Sequence, residues 1–311
     1  MKQLFLAITL AAATAVAAQA QQPGPGVMVM AHGGSAVWNE GVLSAVEPLR
    51  NDYNIEVAFG MADAASLQEA AAKLEARGAG EIVVVRLFVS GDSWYERTQQ
   101  ILGLVGDAPM RPTEADHGMG HSMAIWRIDT GASYALSTEG LANAPEMTGV
   151  LIDRAQALSE DPANEDVLIL AHGPAEHEEN ARWLEALEEH ADAIRETLPF
   201  NKILVETLRE DWPETREIAE RRIREFVGSA NTASRNVLVI PFRVHGFGPY
   251  ADVLEGLDYI ADGQGLVDEQ DLRRGGGGHR EVQPGPHTRR IGLHPHVDGV
   301  AQAGELGHRR H

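Results

Sequence analysis

The sequence predicts an α/β protein of two similar lobes, each a parallel sheet flanked by helices. Three observations predict it. A pattern of apolar run, Ala-His-Gly and polar helix start occurs twice, at Val27–Gly41 and at Asp166–Asn180. Each copy is succeeded by strand-like and helix-like segments in alternation, the pattern of a parallel sheet covered on both faces. The chain has 311 residues, about two domains' worth at ~150 residues each.

Taken in order, residues 1–20 read as a secretory signal peptide. Lys2 gives a positive start, Leu4–Val16 an apolar stretch, and Ala18-Gln19-Ala20 a small-x-small cleavage site. The apolar stretch is short beside the ~20 residues a spanning helix needs. The expectation is a periplasmic or secreted protein, not integral to the membrane after cleavage.

The first lobe is expected over 27–160. Val27–Ala31 is a buried strand, because a short apolar run ending at a glycine turn suits the inside of a parallel sheet. Trp38, Val42, Val46 and Leu49 then fall on one helical face. Ile55–Met61 is the second strand. Leu67, Ala71 and Leu74 mark the next helix, stopped by Gly78. Glu81–Gly91 is the third strand and the most β-branched run in the chain. Asp107–His121 reads as a loop, and Ser133–Leu158 as a strand and helix completing this lobe.

After a linker at Asp161–Asn164, the second lobe is expected over 165–262 with the same order. Leu184, Leu187, Ala191 and Ile194 make its first helical face, Asn201–Leu208 its second strand, Pro213–Val227 its second helix and Asn236–Gly246 its third strand. Residues 272–311 differ in kind. They carry seven Arg against three acids, six of the 13 His and a run of four Gly, with no periodicity. They read as a disordered Arg/His/Gly-rich tail.

Composition narrows the chemistry. The net charge of −20 repels phosphate backbones, so no nucleic acid partner is expected. The chain has no Cys, which removes disulfides, thiolate nucleophiles and cysteine-held metals. Any metal site must use His, carboxylates and main chain.

Ligands of a doubly wound sheet bind beyond the carboxyl ends of its strands. His32 and His172 stand there, each ending the first strand of its lobe. Either could instead cap a helix or bond a loop carbonyl. Matching the third strands by their phenylalanines puts Phe88 on Phe242 and Gly91 on His245. The second lobe then offers two imidazoles, His172 and His245, at the ends of strands that can be neighbours. Two imidazoles with open coordination positions handle a metal rather than lock it away. A carboxylate is expected to join them. Glu206 on the second strand and Glu96 after the third strand of the first lobe are the candidates, with His32 as a further ligand. His117 and His121 could cover the cleft; His177 and His190 read as solvated.

The apolar strand, Ala-His-Gly turn and β-branched strand ending in Pro-Phe-x-x-His-Gly (Pro241–Gly246) resemble the sirohydrochlorin cobaltochelatase family, class II tetrapyrrole chelatases with a ferrochelatase-like fold. The likeness runs from Val27 to Asp262. It implies a lyase that inserts a divalent metal into a sirohydrochlorin-type tetrapyrrole, with cobalt favoured and His172 and His245 catalytic. The metal ion (Co, Fe or Ni) would be a substrate, and no organic cofactor is implied. The partner would be the tetrapyrrole, in a cleft near Phe242, Phe247 and Tyr250, with a homo-oligomer left open. Gly91 in place of a second His implies that the first lobe has no independent site.

Two other functions compete. A periplasmic carrier of metal, haem or another tetrapyrrole on the same scaffold would explain the export signal and His-rich tail without catalysis. An α/β-hydrolase would use Gly120–Ala124 as a nucleophile elbow around Ser122, but no strand precedes that segment.

Overall fold

The computed structural model describes residues 24–106, 108–109, 111, 125–261, 265–266 and 289–291. The expected signal peptide, His117, His121, Ser122 and most of the tail lie outside them. Among the described residues, no helix is long and apolar enough to cross a membrane.

The first sheet is built from β1 (Gly26–Ala31), β2 (Asn54–Phe59), β3 (Glu81–Leu87) and β4 (Ser133–Leu136), in the order β2-β1-β3-β4. All its pairs are parallel. The second sheet repeats this with β5 (Glu165–Ala171), β6 (Lys202–Thr207), β7 (Asn236–Phe242) and β8 (Tyr259–Ala261). Its order is β6-β5-β7-β8-β9, where β9 (Arg289–Ile291) adds antiparallel to β8. β9 lies within the tail that composition marks as disordered. A three-residue strand held through backbone bonds has too few side chains to show a period.

Helices cover both faces. In the first lobe these are α1 (Ala36–Val46), α2 (Ala64–Ala76) and α3 (Tyr95–Leu102). Ser35 caps α1, accepting from Trp38 N at 3.2 Å, and Asp63 caps α2 through Ala65 N and Ser66 N. Gly78, at φ 90°, ends α2. Met30, Leu67, Leu74, Ile82 and Val84 fill the core on the α2 side. Val29, Ala31, Val42 and Val46 fill it on the α1 side.

In the second lobe α5 (His177–Thr197) packs on one face and α6 (Pro213–Thr232) on the other, with the short α7 (Tyr250–Val253) near the end of β7. Every residue of β5 is buried, as a central parallel strand requires. α6 runs five residues beyond its expected end at Val227.

One element changes lobes. Ser133–Leu158 is expected from sequence to complete the first lobe. Its strand does so, pairing β4 with β3. Its helix, α4 (Glu146–Leu158), instead puts Leu151, Ala155 and Leu158 into the second core, against Leu187, Ala191 and Ile194 of α5. Apolar spacing shows which face of a helix is buried, not which sheet buries it.

The lobes also exchange side chains. Val244, just after β7, is buried in the α1-side core of the first lobe. Val89, just after β3, packs in the α5-side core of the second. Arg182 of α5 reaches Asp92 at 3.2 Å.

Candidate functional site

Both Ala-His-Gly turns fold alike. The glycine after each histidine takes a positive φ, 78° at Gly33 and 81° at Gly173, where a β-carbon would be strained. Each imidazole then turns back on its own glycine. His32 Nδ1 lies 2.7 Å from Gly33 O, and His172 Nδ1 lies 2.6 Å from Gly173 O. A carbonyl only accepts, so in the neutral ring Nδ1 is assigned the hydrogen and Nε2 the lone pair.

The two Nε2 atoms face different surroundings. His172 is 33% exposed, with Nε2 3.2 Å from Asp211 Oδ2 and 3.9 Å from Glu210 Oε2. Trp212 packs edge-on to the ring, centroids 6.0 Å apart. Glu210 is held from behind by Arg243, whose guanidinium lies 5.5 Å from the centroid of the buried Tyr250 ring. Burial works against the Arg243 charge, and Tyr250 and Glu210 outweigh it, so its pKa is raised. Burial also pushes the Tyr250 phenol up, against the opposing pull of Arg243. A lone pair facing two carboxylates accommodates a proton or a divalent cation.

Glu210 and Asp211 are the carboxylates beside His172, and sequence reading missed both. The signal was present: two adjacent acids two residues past the second strand, where that strand's loop meets the Ala-His-Gly turn. The acid that was expected, Glu206, lies on β6. Its Oε1 accepts from Thr207 N at 3.1 Å, and its Oε2 lies 3.5 Å from Arg222 of α6. It also lines a cavity of about 280 Å³ between β6 and α6 with Phe226 and Arg235. Glu96 is exposed in the first turn of α3 and meets none of these groups.

His245 also departs from expectation. β5 and β7 are neighbours, as required. Yet the imidazole lies over α1 of the first lobe: a β-carbon on Gly41 would stand 2.5 Å from His245 Cε1 and Nδ1. Nδ1 is buried without a hydrogen-bond partner among the described residues. The rings of His172 and His245 make no contact with each other, His172 meeting Trp212 instead. Among the described residues, no group of three or more His, Asp or Glu side chains is arranged to hold a metal ion. The acid-facing set of His172, Glu210 and Asp211 is open.

The alignment of the third strands shifts by one residue. Ala31 pairs with Leu87, and Ala171 with Phe242. Leu87, not Phe88, therefore matches Phe242, and Ser90, not Gly91, matches His245. A slip of one residue turns a side chain to the opposite face. Accordingly Leu87 packs with the α1-side cluster and Phe88 with the α2-side cluster.

His177 is exposed, as expected, but His190 is buried. Its ring stacks on Phe242, centroids 6.2 Å apart.

No protein-family model matches the chain, and no curated protein matches it. Among solved structures, it is similar to DR2241 from Deinococcus radiodurans, a multi-domain protein with structural similarity to chelatases and two additional novel domains. The identity is 20% over 80% of this chain and 53% of that one, with a TM-score of 0.52. This chain thus spans about half the length of that protein. It also matches SirB from Bacillus subtilis with Fe3+, at 10% identity over 74% of this chain and 80% of that one. There the TM-score is 0.49. The fold is chelatase-like, with two lobes of parallel sheet flanked by helices.

Proposed function

We propose that this protein passes a divalent metal ion to a tetrapyrrole, with His172 receiving the ion next to the carboxylates of Glu210 and Asp211, which do not close a three-ligand cage around it. The observation that carries this reading is His172 Nε2, 3.2 Å from Asp211 Oδ2 and 3.9 Å from Glu210 Oε2 at the end of the central strand. One borderline nitrogen donor and two carboxylates suit Co(II), Fe(II) and Ni(II) alike; cobalt is favoured by the family resemblance. An open donor set is what transfer needs, because a closed one would not release its ion. The metal is substrate, and no organic cofactor is proposed.

Insertion replaces two pyrrole N–H bonds by metal–nitrogen bonds and releases two protons. As the ion leaves for the ring, His172 Nε2 and the Glu210 carboxylate regain free lone pairs and can accept those protons. Arg243, paired with Glu210, holds that carboxylate on the His172 side. His245, seated on α1, is proposed to hold the lobes in register and not to bind the ion. The export signal expected in residues 1–20 would place this work in the periplasm or outside the cell.

The test offers Co(II), Fe(II) and Ni(II) separately to the full chain with sirohydrochlorin and tracks the ring's absorbance. Metallation with at least one ion is expected, falling about a hundredfold or more in His172→Ala and Glu210→Gln. Parent-like rates in both variants overturn the assignment. A second reading, a non-catalytic carrier, is favoured by the absence of contact between His172 and His245. Stoichiometric binding of metal or ring without metallation would select it.

A further inference from the structure

Arg209 stands between the second Ala-His-Gly turn and the acids that the turn faces. Its N–H donates to His172 O at 2.7 Å, and its own carbonyl accepts from Trp212 N at 3.0 Å. The side chain doubles back over Gly173, where a β-carbon would stand 3.0 Å from Arg209 Cδ. The guanidinium ends on Ala175 O. The residue is 5% exposed. Its Nε has no hydrogen-bond partner, and no carboxylate lies within ion-pairing distance of it, among the described residues. Its φ is 56°, a left-handed conformation that an arginine adopts only when its surroundings impose it.

A buried guanidinium ordinarily takes a carboxylate with it. The two acids that follow Arg209 turn to His172 instead, and Glu210 is paired with Arg243. Two carboxylates and two guanidinium groups therefore stand around this turn, and the Arg209 charge is tied to the main chain.

The first lobe has the same turn without this set. Gly60 N donates to Ala31 O as Leu208 N does to Ala171 O, so Met61 holds the place of Arg209. The acid of that loop, Asp63, caps α2 through Ala65 N and Ser66 N. His32 is exposed, its Nδ1 turned to Gly33 O, and it has no carboxylate within ion-pairing distance among the described residues. The buried cation and the facing acids occur in the same lobe.

An imidazole beside two carboxylates holds a dication firmly. A fixed positive charge in a weakly screened position opposes that hold. Because Arg209 is tied to the turn and not to Glu210 or Asp211, it lowers the affinity without drawing either acid away from His172.

We infer that Arg209 is a positioning residue whose buried charge weakens the hold of the His172 site on its ion. That His172 receives an ion rests on the function proposed above.

The probe is Co(II) alone, titrated into the full chain by calorimetry, with His172→Ala showing which heat belongs to this site. Arg209→Gln and Arg209→Met remove the charge and keep an unbranched stem; either serves if the other does not fold. Both are expected to bind Co(II) about tenfold tighter than the parent, and Arg209→Lys to restore the parent's affinity. In metallation of sirohydrochlorin, the uncharged variants should show a lower KM for Co(II) and a lower kcat, because release then limits the rate. A purely structural tie predicts the opposite sign, weaker binding and a higher KM. Weaker or unchanged binding in the uncharged variants, or equal tightening in Arg209→Lys, overturns the inference. If Co(II) binding through His172 tightens in Arg209→Met but the parent does not metallate sirohydrochlorin, the transfer proposal falls and this role of Arg209 stands. If the parent metallates the ring through His172 and no variant tightens, the inference falls alone. Co(II) heat unchanged in His172→Ala overturns both.

Discussion

His190 lies between α4 and α5, with Thr148 Oγ1 2.7 Å from Nδ1 and Ala142 O 3.0 Å from Nε2. The carbonyl takes the Nε2 hydrogen and the hydroxyl donates to Nδ1, so the neutral ring is fully satisfied. Burial pushes its pKa down, and the bond to Ala142 only partly opposes this. The unfolded chain, with an ordinary histidine pKa of ~6.5, therefore binds a proton that the folded chain refuses. The stability that His190 contributes is intact above that value and is lost as pH falls from it toward the lowered folded pKa. Urea unfolding at stepped pH should show this decline, and His190→Gln should flatten it. An unchanged slope in the variant would remove His190 as the source. His177, on the same helix with neighbours as acidic, is solvated. Charged flanks said nothing of which histidine turned inward. The same limit applied to Glu206 and Glu210: both are acids near the end of one strand, and only the turn of the backbone after Thr207 brings the second to His172.

At the scale of elements, most of the architecture was legible because each strand and helix carries its own signal. Buried parallel strands are continuous apolar runs, helices repeat their apolar face, and Gly78 stops the second of them. Partner choice was not legible. α4 has an ordinary amphipathic pattern, and it was the arrangement of the lobes that set it on α5. Leu151 is fully buried there, so Leu151→Ala should cost about 2–5 kcal/mol. Amide exchange should accelerate in α5 and β5 while β1 and β2 stay protected. Faster exchange confined to the first sheet would contradict the assignment of α4 to the second core. Register was the other gap. Phenylalanine identity suggested one alignment of β3 on β7, and the hydrogen-bond ladder chose another, one residue away.

On the scale of the whole molecule, the lobes are joined by reciprocal insertion: Val244 into the first core, Val89 into the second. Gly41 allows this joint to close, because His245 occupies the place a side chain would take. A helix-interior Gly→Ala change ordinarily stabilises by about 1 kcal/mol. Here the sign should reverse. Gly41→Ala is expected to lower the melting temperature and to open the segment around Val244–Gly248 to limited proteolysis. A variant as stable as the parent or more so, with that segment still resistant, would show that His245 does not seat on α1.

The sequence by itself determined the two-lobe α/β plan and the pair of Ala-His-Gly turns, because periodicity, caps and glycine turns are properties of neighbours along the chain. Only the tertiary structure decided that His245 faces the first lobe, that Glu210 and Asp211 stand before His172, and that His32 has no acid beside it. Those outcomes depend on how loops leave the strand ends and which surfaces the lobes press together. Contacts between residues far apart in sequence leave no period to read.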